Sequence, residues 1–285
     1  PTAGAVGSGS NNLMTEISQL SGNVGTGGLF LTDSTSITAV RTVLFNYNRV
    51  GVDGVGVVAS DALQDDLTSA GKLVLQNSTG DITTTGLTGD LSAAGNLLVS
   101  SAGSLTLSGT VSNSAGHTSL LSTGNLTQSA NITTSGTAGS VEMFSGGSMT
   151  LSSATVINTS GASTPGNVVL YATTGNIGVR TINAGTTGSV AITAAGGNIT
   201  DGNSTAVNIV AADLILTAGS SYRIGTSTDQ LETTVTNLSA TAGLDIFIAE
   251  TNALTIGSLP DKWIKPERRA VLDQCLHMPP KLFEV

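Results

Sequence analysis

Gly166-Asn167-Val168-Val169-Leu170-Tyr171-Ala172-Thr173-Thr174-Gly175-Asn176-Ile177 is followed by Gly188-Ser189-Val190-Ala191-Ile192-Thr193-Ala194-Ala195-Gly196-Gly197-Asn198-Ile199-Thr200, and the two are one motif written twice. Each copy has a glycine with a small polar neighbour, a run of aliphatic residues, a second glycine with Asn, and another short apolar run. Runs of three to five β-branched and aliphatic residues bounded by Gly, Asn, Ser and Thr predict strands, with alternation such as Val190 and Ile192 setting one face inward. Glycine at the turn supplies positive φ or close backbone approach, and the Asn, Asp or Ser beside it can bond its own backbone. The template is two short strands joined by a glycine turn.

The same template runs outward in both directions. Gly71-Lys72-Leu73-Val74-Leu75 leads to Gly80-Asp81-Ile82-Thr83, and Gly95-Asn96-Leu97-Leu98-Val99 leads to Gly103-Ser104-Leu105-Thr106. The turn glycine recurs at Gly80, Gly103, Gly124, Gly147, Gly175, Gly197, Gly219 and Gly243. A period of about 23 residues marks units that cannot bury an apolar face alone and must stack. This predicts an all-β chain folded as a parallel β-solenoid over residues 22–259, with about ten coils and a length of roughly 50 Å. Thr35 stands where a glycine would, and the interval from 35 to 80 is close to two periods. Residues 1–21 form an N-terminal cap or an irregular first coil, with Leu13, Ile17 and Leu20 spaced like one face of a short helix. Asp61 to Asp66 falls in a loop or bulged turn. The longest interval, Thr150 to Pro165, must leave the coil as a loop and offers a contact surface.

Composition fits a narrow, tightly stacked core: 36 glycines, 3% aromatic and 10% charged residues in 285. The Val, Ile and Leu content argues against disorder. Up to residue 260 the basic residues are Arg41, Arg49, Lys72, Arg180 and Arg223, and the formal net charge of the chain is -9. With no basic stripe for a phosphate backbone, nucleic acid is not an expected partner. Residues 260–285 differ in kind, holding Trp263, Cys275 and His277. Pro266 to His277 predicts a short helix, with Val271, Leu272, Cys275 and Leu276 on one face and Pro279-Pro280 ending it. That tail covers the last coil's open edge, binds a partner, or continues into other sequence. The chain starts at Pro1 without a Met or an apolar signal core, as a mature chain or a piece of a longer one does. No apolar run approaches the roughly 20 residues needed to span a bilayer. Cys275 alone allows no internal disulfide and does not decide the compartment.

The motif at 166–177 and 188–200 closely resembles the repeats of filamentous-haemagglutinin-like large exoproteins and bacterial adhesins, over roughly residues 70–258. The resemblance implies a right-handed parallel β-helix, export by two-partner or autotransporter-like routes, a secreted or cell-surface bacterial location, and work in adhesion, aggregation or biofilm matrix. The Asn-Pro-Asn-Leu and Asn-Pro-Asn-Gly motifs of that family's secretion domain do not occur here, so the resemblance implies stalk. Neighbouring cells, glycans or sister chains are the expected partners.

β-Helices also carry polysaccharide lyases and glycoside hydrolases, so catalysis is the rival class. Glycoside hydrolysis needs two carboxylates about 5 or 6.5–9.5 Å apart across a cleft. Asp65-Asp66 is the only adjacent acidic pair, and Gly116-His117-Thr118 only faintly resembles the Gly-His-Gly of polygalacturonases, whose Arg-Ile-Lys is missing. Asp65-Asp66 is expected in a solvated loop, His117 at a turn, and the protein is expected not to be an enzyme and to need no cofactor. The Gly-Gly-x-Gly-x-Asp nonapeptide of calcium solenoids is absent, and Cys275 with His277 lacks further ligands. Asp81, or Asp201 beside Asn198 and Asn203, offers at most a weak cation site. Thr83-Thr84-Thr85 and Thr133-Thr134-Ser135 suggest hydroxyl ladders, against the plainer reading of solvated strand positions. Asn77, Asn125, Asn131, Asn158, Asn198, Asn203 and Asn237 fit the N-glycosylation sequon, which a chain rich in Asn, Ser and Thr also produces by chance. The function expected is a non-enzymatic stalk or fibre segment able to join head to tail; the alternative is a carbohydrate-binding or polysaccharide-degrading β-helix.

Overall fold

The computed structural model describes residues 4–42, 46–60, 63–136, 139–152, 155–161, 166–257 and 259. The helix expected at 266–277, the rest of the tail, Asp61, and 153–154 and 162–165 of the expected loop lie outside the described residues. The described chain is all β, a parallel solenoid of about nine turns with a period near 24 residues.

Each regular coil contains three strands, not two. The first ladder stacks Gly28–Asp33, Leu73–Asn77, Leu97–Ser101, Thr118–Ser122, Val141–Ser145, Val168–Ala172 and Ser189–Ala194. The second stacks Ile37–Ala39, Ile82–Thr84, Leu105–Leu107, Leu126–Gln128, Met149–Leu151, Ile177–Val179 and Ile199–Asp201. The third, which the two-strand template missed, stacks Gly22–Val24, Leu67–Ser69, Leu91–Ala93, Val111–Asn113, Ile132–Thr134, Val156–Asn158 and Thr181–Asn183. Its members are three residues long with one or two inward side chains each, too short to show as an apolar run. Near the C-terminal end the third and first ladders fuse into the long strands Ile209–Ala218 and Leu231–Thr241. Ala212-Asp213 stands there in register with Gly188-Ser189 of the preceding coil.

Inward positions stack like on like. Leu73 pairs with Leu29 and Leu97, and Ile82 with Ile37 and Leu105; all six are at most 2% exposed. Burying each such side chain contributes about 1.5–3 kcal/mol, so the core is a set of aliphatic columns parallel to the axis.

Two sequence expectations change at the N-terminal end. Leu29 pairs directly with Leu73, so residues 35–80 make one turn plus an insertion, not two turns. The insertion is an antiparallel hairpin, Asn46–Val50 with Gly56–Ser60, turning through Asp53 and Gly54, whose φ is +74°. Leu13 and Leu20 lie in short strands, Leu13–Thr15 and Gln19–Leu20, and Ile17 in the turn between them; no helix forms in 4–42. Pairing of Ala5 with Gly28 starts the coil at Ala5 rather than near 22. Ala5–Val6, Leu13–Thr15 and Gln19–Leu20 each pair in parallel with a strand of the next layer.

The beat glycines serve close approach more than unusual dihedrals. Of the eight, only Gly80 has positive φ, +75°. A Cβ on Gly197 would sit 2.6 Å from Asn176 N and overlap the Gly175 carbonyl. Gly124 N donates to Gly103 O at 2.9 Å and Gly147 N to Gly124 O at 3.0 Å, so backbone packs on backbone along the axis.

Candidate functional site

The polar residues beside the glycines build a repeated feature. At the positions named next they bond not their own backbone but the next coil: a side-chain atom accepts the backbone N–H of the equivalent residue one coil later. Before the second ladder, Asp81 Oδ1 accepts from Ser104 N at 2.7 Å, Asn125 Oδ1 from Ser148 N at 2.9 Å, Asn176 Oδ1 from Asn198 N at 2.8 Å, and Asn198 Oδ1 from Arg223 N at 2.9 Å. Before the first, Asn96 Oδ1 accepts from His117 N, His117 Nδ1 from Ser140 N, and Asn167 Oδ1 from Ser189 N. Before the third, Asp66 Oδ1 accepts from Asp90 N at 3.0 Å, Asp90 Oδ1 from Thr110 N at 2.6 Å, and Asn131 Oδ1 from Val156 N at 2.9 Å. Parallel, in-register stacking aims each corner side chain along the axis, where the next coil presents an N–H that would otherwise lack a partner.

These ladders use the residues singled out for chemistry. His117 is a ladder member. Asp65 and Asp66 separate: Asp65 takes a fork from Arg41 Nε and Nη2, while Asp66, at φ +60°, serves the corner ladder. The Arg41 bond holds the Asp65 carboxyl below its ordinary value. Thr42 N donates to Gln64 O at 3.1 Å beside that fork, so both pin the neck of the inserted hairpin.

The hydroxyl surface lies across coils, not along the chain. Thr84 is buried and its Oγ1 accepts from Gly109 N at 2.8 Å, so the run 83–85 forms no external ladder. Outside the second ladder, Thr38, Thr83, Thr106, Thr127 and Thr150 align in register, Gly178 interrupts, and Thr200 resumes. At Gly178 the surface dips into a shallow groove of about 440 Å³ lined by Thr150, Ser152, Asn176, Arg180, Thr200 and Asp201. Arg180 Nη1 there donates to Gly202 O.

Near that groove three carboxylates converge. Asp201 Oδ1 accepts from Asn203 N at 2.7 Å and Asn208 Nδ2 at 2.6 Å, while Asp201 Oδ2 and Glu232 Oε2 are buried with no hydrogen-bond partner among the described residues. Desolvation first, and then Asp201, raises the pKa of Asp229. Desolvation, then Asp201 and Asp229, does the same to Glu232. Among the described residues no group of three His, Cys, Asp or Glu is arranged to hold a metal ion. No helix of the described chain is long and apolar enough to cross a membrane.

The seven sequons divide by geometry. Asn77 is buried, its Nδ2 donating to Thr35 O and Thr79 O. Asn203 donates to Arg180 O and Asn237 to Asp213 Oδ1, so their amide nitrogens are engaged. Asn125 and Asn131 are exposed and use Oδ1 in the corner ladders, as Asn198, half-buried, also does; Asn158 Oδ1 accepts from Ser160 N and Oγ. The hairpin and the threonine row were missed at the sequence level. Asp53-Gly54 between alternating valines is a hairpin signal, whereas the row exists only once the register is known. Compared with protein-family models, curated proteins and solved structures, the chain matches none.

Proposed function

We propose that this chain is a non-enzymatic spacer, a stiff stalk or fibre segment of a secreted or surface-displayed bacterial adhesin or matrix protein. The observation that carries the reading is the set of three corner ladders running beside the aliphatic columns. Among the described residues, side chains capable of chemistry, including His117, Asp66, Asp81 and Asp90, bond one coil to the next. Such an array resists bending and pulling because extension must break backbone and side-chain bonds together. The polar exterior, small and weakly charged, suits contact with cells, glycans or sister chains. Negative-stain microscopy of purified protein is expected to show rods, and deletion of whole coils from the parent protein is expected to abolish cell aggregation. Globular particles, or aggregation unaffected by the deletion, would refute the spacer reading.

The groove at Gly178 favours a second reading, binding of carbohydrate hydroxyls by Thr150, Asn176, Arg180 and Thr200. A glycan array with wild type and R180A separates the two, since a passive stalk gives no Arg180-dependent signal.

A further inference from the structure

The inserted hairpin stands apart from the ladders. Every residue of Asn46–Val50 and Gly56–Ser60 is exposed except the half-buried Ala59. Val50 is 69% and Val58 73% exposed, and Tyr47, Val52, Val55 and Val57 are exposed with them. An isolated two-stranded hairpin is marginal in water, and clustered exposed apolar side chains mark interaction sites.

The occupant follows from the outer edge of Gly56–Ser60, which no strand among the described residues pairs with. Edge strands that must avoid their own copies carry Lys, Pro, a bulge or an inward charge. From Gly54 to Ser60 the sequence is Gly-Val-Gly-Val-Val-Ala-Ser, with no charge and no proline, and its register with Asn46–Val50 is one to one without a bulge. High β-propensity with no charge is the pattern that pairs with itself. An antiparallel edge is also its own complement under two-fold rotation, each outward N–H meeting a C=O of the other copy. An axis at Val58 sets Val57 against Ala59 and Gly56 against Ser60, so no like charges oppose.

We propose that this hairpin is a homotypic docking element: the Gly56–Ser60 edges of two copies of the chain pair antiparallel into a four-stranded sheet, joining two rods side by side. The occupant is a second copy because the edge lacks protection against one. The Arg41–Asp65 fork and the Thr42–Gln64 bond fix the hairpin to the coil, so the joint positions the rods as well as their tips. This lateral joint is separate from head-to-tail stacking of coil ends.

Sedimentation velocity over a concentration series tests it on three proteins: wild type, V58K, and a variant with residues 46–60 replaced by a Gly-Ser linker. The wild type is expected to dimerise, and both variants to dissociate about tenfold more readily or worse. Far-UV circular dichroism and Tm should stay unchanged in V58K, because Val58 is exposed. The linker variant gives an independent reading, since the hairpin lies outside the ladders. A wild type that stays monomeric throughout overturns the proposal. So does a dimer that survives both changes, which would assign association to another surface.

Discussion

Thr15 Oγ1 donates to Asp33 Oδ2 at 2.6 Å, tying the first layer of the solenoid to the second. Ile17 N bonds the same oxygen, and Thr35 N and Oγ1 bond Oδ1, both at 2.8 Å. Burial pushes the buried Asp33 carboxyl up, but the hydrogen bonds from Thr15, Ile17 and Thr35 outweigh it and the pKa is lowered. A lowered carboxylate pKa adds stability that is present above the unfolded value, about 3.9, and is lost as pH falls through the folded one. D33N is expected to cost about 1–3 kcal/mol at neutral pH and to remove the acid limb of that dependence. Amide exchange at Ile17 and Thr35 followed against pH reads it directly, and equal acid sensitivity in D33N would contradict it.

Asp229 and Glu232 run the opposite way. Their pKa values are raised by desolvation and by neighbouring carboxylates, so the folded state binds protons more tightly than the unfolded one there. The penalty is absent below the ordinary carboxylate value near 4 and complete above the raised value, so it grows as pH rises through that window. D229N is expected to raise Tm near neutral pH, with the gain shrinking to nothing as pH falls below about 4. A gain of the same size at both pH values would show that charge repulsion is not the cause.

How much of this was legible in the sequence depends on whether a feature lies along one coil or between coils. The strands at Val168–Ala172 and Ile177–Val179 show as apolar runs between glycines, because each presents its own alternation. Leu91–Ala93 does not, since one Leu and one Ala make no run and only its pairing with Leu67 and Val111 defines the strand. Asp81 beside Gly80 was assigned to its own backbone, while its actual partner, Ser104 N, belongs to the next coil. The hairpin hid for a numerical reason: its length brought the interval from Thr35 to Gly80 close to two periods, so Asp53-Gly54 was passed over. The threonine row of the candidate surface is the extreme case, because Thr83 and Thr106 become neighbours only through the ladder.

Gly197 should tolerate no side chain. Its φ is not positive, so the obstacle is contact: a Cβ would overlap the Gly175 carbonyl and lie 2.6 Å from Asn176 N, both rigid backbone. G197A is expected to cost about 1–3 kcal/mol, as overpacking does. G54A is the control for dihedral strain alone, because a Cβ on Gly54 meets nothing within 4 Å while φ is +74°. Chemical denaturation should show G197A well below wild type and G54A close to it, since the hairpin carries no coil packing. A G197A variant as stable as wild type would remove axial contact as the reason for glycine there.

Two cavities of the same kind should differ because their neighbours do. Leu75 and Leu170 occupy equivalent positions of the first ladder, both fully buried. Leu75 stacks on Leu31 and, on its other side, Val99, whereas Leu170 stacks on Met143 and Ile192. Truncating a buried Leu to Ala costs about 2–5 kcal/mol, with the spread set by how far the surroundings collapse. Methionine has a flexible, polarizable chain that fills irregular gaps, so L170A should fall toward the low end and L75A toward the high end. Because each coil touches only its neighbours, lost amide protection should concentrate in Val141–Ser145 and Ser189–Ala194 for L170A, leaving the Thr15 and Ile17 amides unchanged. Replacing Met143 with Leu in the L170A background should then restore the larger cost, since the branched side chain cannot reach into the cavity. Equal losses in L75A and L170A, with no further loss on adding M143L, would remove Met143 as the reason.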